Sequence, residues 1–323
     1  MDRNLALNLV RVTEAAALES ARHLGRGDKN LADGAAVNGM RKMFDTLTID
    51  GVVVIGEGEM DEAPMLYIGE QIGKATPGSV KVDIAVDPLD GTTAVAQGKA
   101  NAISVVAVAP RGCLLHAPDM YMNKIAVGPK VKGKVHLDMP IEEIIRNTAE
   151  ALNKSVSDIT VTMLDRPRHE KLMEEVRKAG ARIKLFKDGD VAAAIATCFE
   201  NSGVDILMGI GGAPEGVLAA AAIKCLGGDF QGRLHPSSEE EVVRCKNMGI
   251  DCVDKIFTLD DLVKGNEVMF AATGVTDGEL LKGVVYYENN RAKTYSVVMR
   301  AETGTVRFIE SIHRLDKKPE YAK

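Results

Sequence analysis

The sequence predicts an α/β protein, a layered α+β sandwich of two interlocked domains, residues 1–140 and 141–323. Before residue 140, apolar strands run into acidic, glycine-bounded turns. After it, strand and helix alternate three times, which implies a largely parallel sheet with helices on its faces. At 323 residues the chain has core area enough for two domains of ordinary size.

Residues 4–24 read as an amphipathic helix, with Leu5, Leu9, Val12, Ala16 and Ala17 near helical spacing and Gly25 as the stop. A loop, Gly25 to Lys29, leads to a second helix from about Ala35 to Leu47. Gly51–Gly56 is a buried strand; after Glu57-Gly58-Glu59, Asp61 reads as the N-cap of a helix with Pro64 in its first turn. Val80, Val82, Ile84 and Val86 alternate with Lys81, Asp83 and Ala85, a strand with one buried face that ends at Asp87. Ile103–Ala109 is another apolar strand.

Pro140 opens a helix that runs to Ala151. The alternating strands are Ile159–Met163, Arg182–Phe186 and Val204–Met208, and their helices begin near Arg168, Val191 and Pro214. A polar helix, Ser237–Met248, follows. Strands are then expected near Val268–Ala272, Val284–Tyr287, Tyr295–Arg300 and Val306–Ile309.

Composition narrows the function. The formal net charge is -6 and the basic residues are dispersed, so no concentrated basic surface is present for nucleic acid. No apolar run approaches the ~20 residues that span a bilayer, and the N-terminus lacks the apolar stretch of a signal peptide. Five cysteines without a C-x-x-C pair fit a reducing compartment, with the cytoplasm as default.

Two clusters carry the chemistry. In Asp87-Pro88-Leu89-Asp90-Gly91-Thr92-Thr93, Asp87 stands at a strand end and Asp90 can face the same ion. Gly91 permits close backbone approach, and Thr92 and Thr93 offer hydroxyls and N–H groups at a helix start. Mg²⁺ and Mn²⁺ prefer such oxygen ligands, and metal-assisted phosphate-ester hydrolysis needs them on rigid backbone. The second cluster, Gly56-Glu57-Gly58-Glu59-Met60-Asp61, concentrates repelling acids where cations would offset them. Asp33, taken alone, reads as a helix cap. In the second half, Asp165-Arg166-Pro167-Arg168-His169, Asp188-Gly189-Asp190 and Gly211-Gly212-Ala213-Pro214-Glu215-Gly216 each follow a strand. Parallel strands place all three loops on one carboxyl edge, where α/β folds bind ligands. Arg166 and Arg168 suit a phosphate, Asp188 and Asp190 suit sugar hydroxyls, and Glu215, in a first helical turn, suits a metal. Singly, each loop reads equally well as a tight turn.

The blocks Gly25–Asp33, Val53–Leu66, Val86–Thr93, Ala117–Met122, Asp165–His169, Asp188–Asp190 and Gly211–Ala222 occur in order, and Val297–Arg307 continues them. Together they resemble class II fructose-1,6-bisphosphatase, the GlpX type, within the lithium-sensitive sugar-phosphatase superfamily. The resemblance implies the sugar-phosphatase fold and hydrolysis of fructose 1,6-bisphosphate to fructose 6-phosphate in gluconeogenesis and glycerol metabolism. It also implies dependence on Mn²⁺ or Mg²⁺, two or more ions per active site, and a homo-oligomer, dimer or tetramer.

By motif position, the resemblance gives one metal to Asp33 and Glu57 and a second to Asp87, Asp90 and Glu215. Substrate contacts fall to Asp90, Gly91, Thr92, Tyr121, Arg166, Pro167, Arg168, Asp188, Gly189, Asp190 and Gly212. Thr92 would position or deprotonate the attacking water, with Lys29, Glu59 and Asp61 as further catalytic candidates. Many members carry Glu where this chain has Asp90, so a ligand to the second metal is one methylene shorter here. Three rivals remain open: a sedoheptulose-1,7-bisphosphatase, whether as sole or second activity, a phosphatase of inositol monophosphate, and a non-catalytic phosphosugar-binding regulator.

Overall fold

The computed structural model describes residues 1–58 and 63–318. In chain order, its elements begin with α1 (Leu5–Ala21), α2 (Lys29–Phe44), β1 (Ile49–Ile55), β2 (Gln71–Ile72), β3 (Val80–Asp90), α3 (Thr92–Ala96) and β4 (Ile103–Pro110). Then come β5 (Tyr121–Val127), α4 (Ile141–Leu152), β6 (Thr160–Leu164), α5 (Glu170–Lys178), β7 (Arg182–Phe186), α6 (Asp190–Ala196), β8 (Ile206–Gly212) and α7 (Ala213–Leu226). β9 (Asp229–His235), α8 (Glu239–Asn247), β10 (Ile256–Phe257) and α9 (Leu259–Leu262) follow. The chain closes with β11 (Met269–Gly274), β12 (Val285–Tyr287), β13 (Arg291–Arg300) and β14 (Thr305–Arg314). Among the described residues no helix is long and apolar enough to cross a membrane.

The chain divides at two points, not at the single boundary near residue 140 expected from sequence. Met1–Leu114 and Gly265–Lys323 form one compact unit, and Leu115–Lys264 form the other. The physical reason is strand pairing. β5 pairs with β8 and β9, while the C-terminal strand β11 pairs with β4 of the first unit.

The first unit's sheet runs β12-β13-β11-β4-β3-β1-β2, with β14 paired to β13. Among the described residues only β1 and β3 of this sheet pair in parallel, so both end on the same edge. α1 packs on β11 and β13 and α2 on β3, closing a core that includes Leu9, Val12, Met40, Phe44, Ile84, Val106 and Met269. Fully burying one such large side chain contributes about 1.5–3 kcal/mol. The two helices touch closely: a Cβ on Gly39 would lie 2.7 Å from the Ala15 carbonyl oxygen.

Two local expectations change here. α2 begins at Lys29, not near Ala35, because Asp28 caps it and accepts from the Leu31 N–H at 3.0 Å. Asp33 therefore sits inside the helix and is not its cap. No helix includes the described residues 63–70; Leu66 is held in the left-handed region (φ 56°), which a right-handed helix cannot include. Asp61, expected to cap that helix, lies outside the described residues, as does Glu59.

The second unit's sheet runs β10-β9-β5-β8-β6-β7. β7, β6 and β8 are mutually parallel as the alternation predicts, and β5 runs antiparallel to β8. α4 and α5 bury Ile144, Ile145 and Val176 with Ile125, Val161, Met163 and Met208 of the sheet. α7 is buried from Val217 to Ile223 and packs on β5, β8 and β9.

Candidate active site

In the first unit, the parallel pairing of β1 and β3 (Ile55 opposite Ala85) carries both acidic turns off one sheet edge. β3 does not stop at Asp87, as its alternation suggests, but continues to Asp90 through a bulge. Asp87 faces Val105 and Asp90 faces Ile103, so three steps on β3 match two on β4. One extra residue bends the strand, and Pro88 occupies a place where no ladder N–H is required. The Asp87 carboxylate accepts from the Leu89 N–H at 3.0 Å, fixing the bend. Asp90 is buried at the strand end. Gly91 caps α3 with φ 104°, and a Cβ there would approach the Ala102 Cα to 3.1 Å, so only glycine makes this turn without strain.

The Gly25–Asp28 loop is tied to α3 through backbone. The Gly25 N–H donates to the Val95 carbonyl at 2.8 Å and the Gly27 N–H to the Ala96 carbonyl at 2.9 Å. This fixes the start of α2, and with it Asp33, against the Thr92 turn. Lys29 lies exposed in the first turn of α2. Glu57 is set by its own backbone, whose N–H donates to the Leu66 carbonyl at 3.0 Å. A Cβ on Gly56 would fall 1.9 Å from that carbonyl oxygen. Leu66 is held in turn by Glu70, which takes its N–H and pairs with Arg41 at 2.6 Å.

The Asp33 and Glu57 carboxyls are hydrogen-bonded to each other. Burial raises both, and the neighbouring Asp33 charge pushes Glu57 further, to about 8. Two carboxyls can share such a bond only by keeping a proton, so at neutral pH Glu57 donates to Asp33. Among the described residues no group of three or more His, Cys, Asp or Glu side chains is assembled that could hold a metal. These half-buried acid oxygens are of the type a hard divalent cation prefers, and the pair could hold one by giving up its proton.

In the second unit, the loops after β6, β7 and β8 leave the same edge, and β5 brings Tyr121 to it opposite Gly212. Arg168 stacks over the Tyr121 ring at 4.7 Å from the centroid and donates to the Ile210 carbonyl at 2.8 and 3.1 Å. Arg166 donates to the Lys187 carbonyl at 2.7 Å and meets Asp188 at 3.3 Å. Backbone carbonyls thus aim both guanidinium groups, and each retains N–H groups for an anion. Pro167 starts the short turn between them.

His169, on the same turn, is a brace. It takes the Ile210 N–H on Nε2 at 2.8 Å and meets the Leu164 carbonyl through Nδ1 at 2.8 Å, which requires the neutral ring with its proton on Nδ1. Burial lowers its pKa accordingly.

Asp190, the first residue of α6 after left-handed Gly189, does not reach outward as a sugar contact would. Its carboxylate is buried on Lys124 at 2.6 Å. Glu215 lies in the first turn of α7; burial raises its pKa, the Asp190 charge adds to this and Lys124 opposes it. Its Oε2 is buried without a hydrogen-bond partner among the described residues, so this carboxylate could hold a cation. A Cβ on Gly212 would lie 1.8 Å from that oxygen, so the glycine makes room for the carboxylate.

Sequence reasoning missed Arg41 and Glu70 in the first unit and Lys124 in the second, and named His169 only as part of its loop, with no bracing role. A lysine next to the apolar run Ile125–Val127 of β5 was the one available signal, since a charge there has to be paired.

Residues 3–313 match the family model for bacterial fructose-1,6-bisphosphatase, glpX-encoded. The chain is 50% identical over 331 aligned positions to fructose-1,6-bisphosphatase 1 class 2 of Escherichia coli (strain K12), covering 98% of this chain and 97% of that one. It is likewise 50% identical over 331 positions to fructose-1,6-bisphosphatase class 2 of Shigella flexneri, with the same coverage.

Proposed function

This chain belongs to the glpX-encoded bacterial fructose-1,6-bisphosphatase family, and from that premise we propose which residues carry the hydrolysis of fructose 1,6-bisphosphate to fructose 6-phosphate and inorganic phosphate. The observation that carries the reading is the half-buried, hydrogen-bonded Asp33–Glu57 acid pair, on the sheet edge that also carries the Asp87–Thr93 turn. The family is metal-dependent; we assign the role to Mn²⁺ or Mg²⁺, two or more ions per site. Bound divalent cations neutralise phosphate charge and make water acidic enough to attack.

Asp33, Glu57, Asp87 and Asp90 are the first unit's candidates to hold a cation, and Glu215 is the second unit's own candidate. The shorter Asp90 sits on the rigid end of β3, where the bulge sets its reach. Gly91 and the Thr92 and Thr93 hydroxyls orient the 1-phosphate, and Thr92 holds the attacking water by its hydroxyl. Lys29 is available to the phosphate from the start of α2. Tyr121, Arg166 and Arg168 take the phosphosugar portion, with Asp188 accepting from a sugar hydroxyl. Pre-aimed donors and acceptors of this kind lower the cost of ordering the substrate.

The test is phosphate release from fructose 1,6-bisphosphate, sedoheptulose 1,7-bisphosphate and inositol 1-phosphate, each with Mn²⁺, Mg²⁺ or EDTA. Fructose 1,6-bisphosphate should be cleaved best, and activity should vanish in EDTA. Activity that survives thorough metal removal would overturn the reading, as would sugar-phosphate binding in Mn²⁺ without turnover. A homo-oligomer, dimer or tetramer, is part of the proposal. β14 pairs with β13 alone among the described residues and exposes Phe308 and Ile312, an edge suited to a second copy; sedimentation would check it.

A further inference from the structure

We propose that Lys124 is the positioning residue for phosphosugar binding on the second unit, an inference that rests on reading that unit's loops as the phosphosugar contacts. Lys124 lies in the middle of β5, and its side chain is only 3% exposed. A buried ammonium is tolerated only when it is paired and hydrogen-bonded. Here Nζ meets two acceptors from two different loops: Asp190 Oδ2 at 2.6 Å and the Gly212 carbonyl oxygen at 2.7 Å.

Each acceptor governs a piece of the site. Asp190 is the first residue of α6, directly after Asp188 and Gly189. Gly212 is the cap of α7, three residues before Glu215. One ammonium therefore sets the distance between the loop that offers Asp188 and the turn that offers Glu215. A Cβ on Gly211 would lie 2.3 Å from Asp190 Oδ2 and 3.0 Å from Lys124 Nζ, so the pair occupies the space a side chain would take. Asp190 thus acts inward, on Lys124, and the substrate meets the loop through its neighbours.

The test uses Lys124→Met, Lys124→Arg, Arg168→Met and the paired replacement Lys124→Met with Asp190→Leu in the full-length chain. The paired variant removes both charges together and so leaves no buried ion unpaired, which keeps the question answerable if Lys124→Met alone folds poorly. The readouts are the Kd for fructose 6-phosphate, the KM and kcat for fructose 1,6-bisphosphate in Mn²⁺, and the thermal midpoint. A misplacement of about 1 Å costs up to roughly a hundredfold. The paired variant should therefore raise Kd and KM about tenfold or more, by a larger factor than kcat falls, while keeping a cooperative melt. Lys124→Arg, which keeps a cation on Asp190, should recover most of the affinity that Lys124→Met loses.

Wild-type Kd and KM in the paired variant, or an arginine variant no better than the methionine one, would overturn the role of Lys124. Arg168→Met separates that failure from a failure of the underlying reading. If Arg168→Met weakens fructose 6-phosphate and the Lys124 variants do not, only this inference falls. If neither does, the assignment of the phosphosugar to the second unit falls as well.

Discussion

Without a cation, the carboxyl of Glu57 keeps its proton to about pH 8, because burial and the adjacent Asp33 charge both oppose ionisation. In the unfolded chain a glutamate loses that proton near pH 4.3. The folded apoprotein thus binds more protons than the unfolded chain across this window. Stability from the group is complete below about pH 4 and is lost as pH rises through 8. The interval from the ordinary 4.5 to about 8, at about 1.36 kcal/mol per pH unit, caps the loss at about 5 kcal/mol. Metal binding needs the ionised carboxylate, so at pH 7 a group of pKa about 8 should release about 0.9 proton on loading. Chemical denaturation of apo and Mn²⁺-loaded protein at pH 5, 6.5 and 8 measures the first effect. Calorimetry in buffers of differing ionisation enthalpy measures the second. The apoprotein should weaken towards pH 8, whereas the loaded protein should strengthen, and Glu57→Gln should flatten the apo curve. A Glu57→Gln protein with the wild-type pH slope, or release below about 0.3 proton at pH 7, would refute the assignment of this pair.

Gly212→Ala places a methyl where Glu215 Oε2 now lies, so the carboxylate must move; kcat should fall about a hundredfold, and a steady-state assay with a melting curve distinguishes that from unfolding. Thr92→Val should lower kcat strongly with metal affinity unchanged, checked by Mn²⁺ titration; full activity would remove Thr92 from the mechanism. Asp28→Ala removes the cap of α2 and should cost about 1 kcal/mol, read by denaturant midpoint. The Cys198 thiol is pushed up to about 12 by burial, so at pH 8 it should alkylate far more slowly than exposed Cys252, as peptide mapping after brief iodoacetamide treatment would record.

Much of the candidate site was legible because its signals are local. An apolar strand followed by D-P-x-D-G-T or G-E-G-E marks a strand end with acids on it, whatever the strand pairs with. The three β-α units were readable for the same reason, and their parallel order followed from the connection length. Capping was readable in type but not in place. Asp28 and Asp33 both precede helical residues, and which one caps α2 depends on the Gly25–Asp28 loop docking on α3. β5 and β9 escaped notice because Lys124, Gln231 and Arg233 break their apolar pattern, and each polar group is satisfied only by residues far along the chain.

By itself, then, the sequence determined the kind of chemistry: acids at strand ends, glycines where a ligand or carboxylate needs room, and arginines on one carboxyl edge. Periodicity and turn preferences are properties of a few neighbouring residues, and they survive any choice of long-range pairing. Only the tertiary structure decided that the C-terminal strands complete the first unit, that Asp33 and Glu57 share a proton, and that Asp190 turns inward to Lys124. Those outcomes depend on which segments lie side by side and how deeply they are buried. Burial is what turns a pair of ordinary acids into a site that holds a proton to about pH 8.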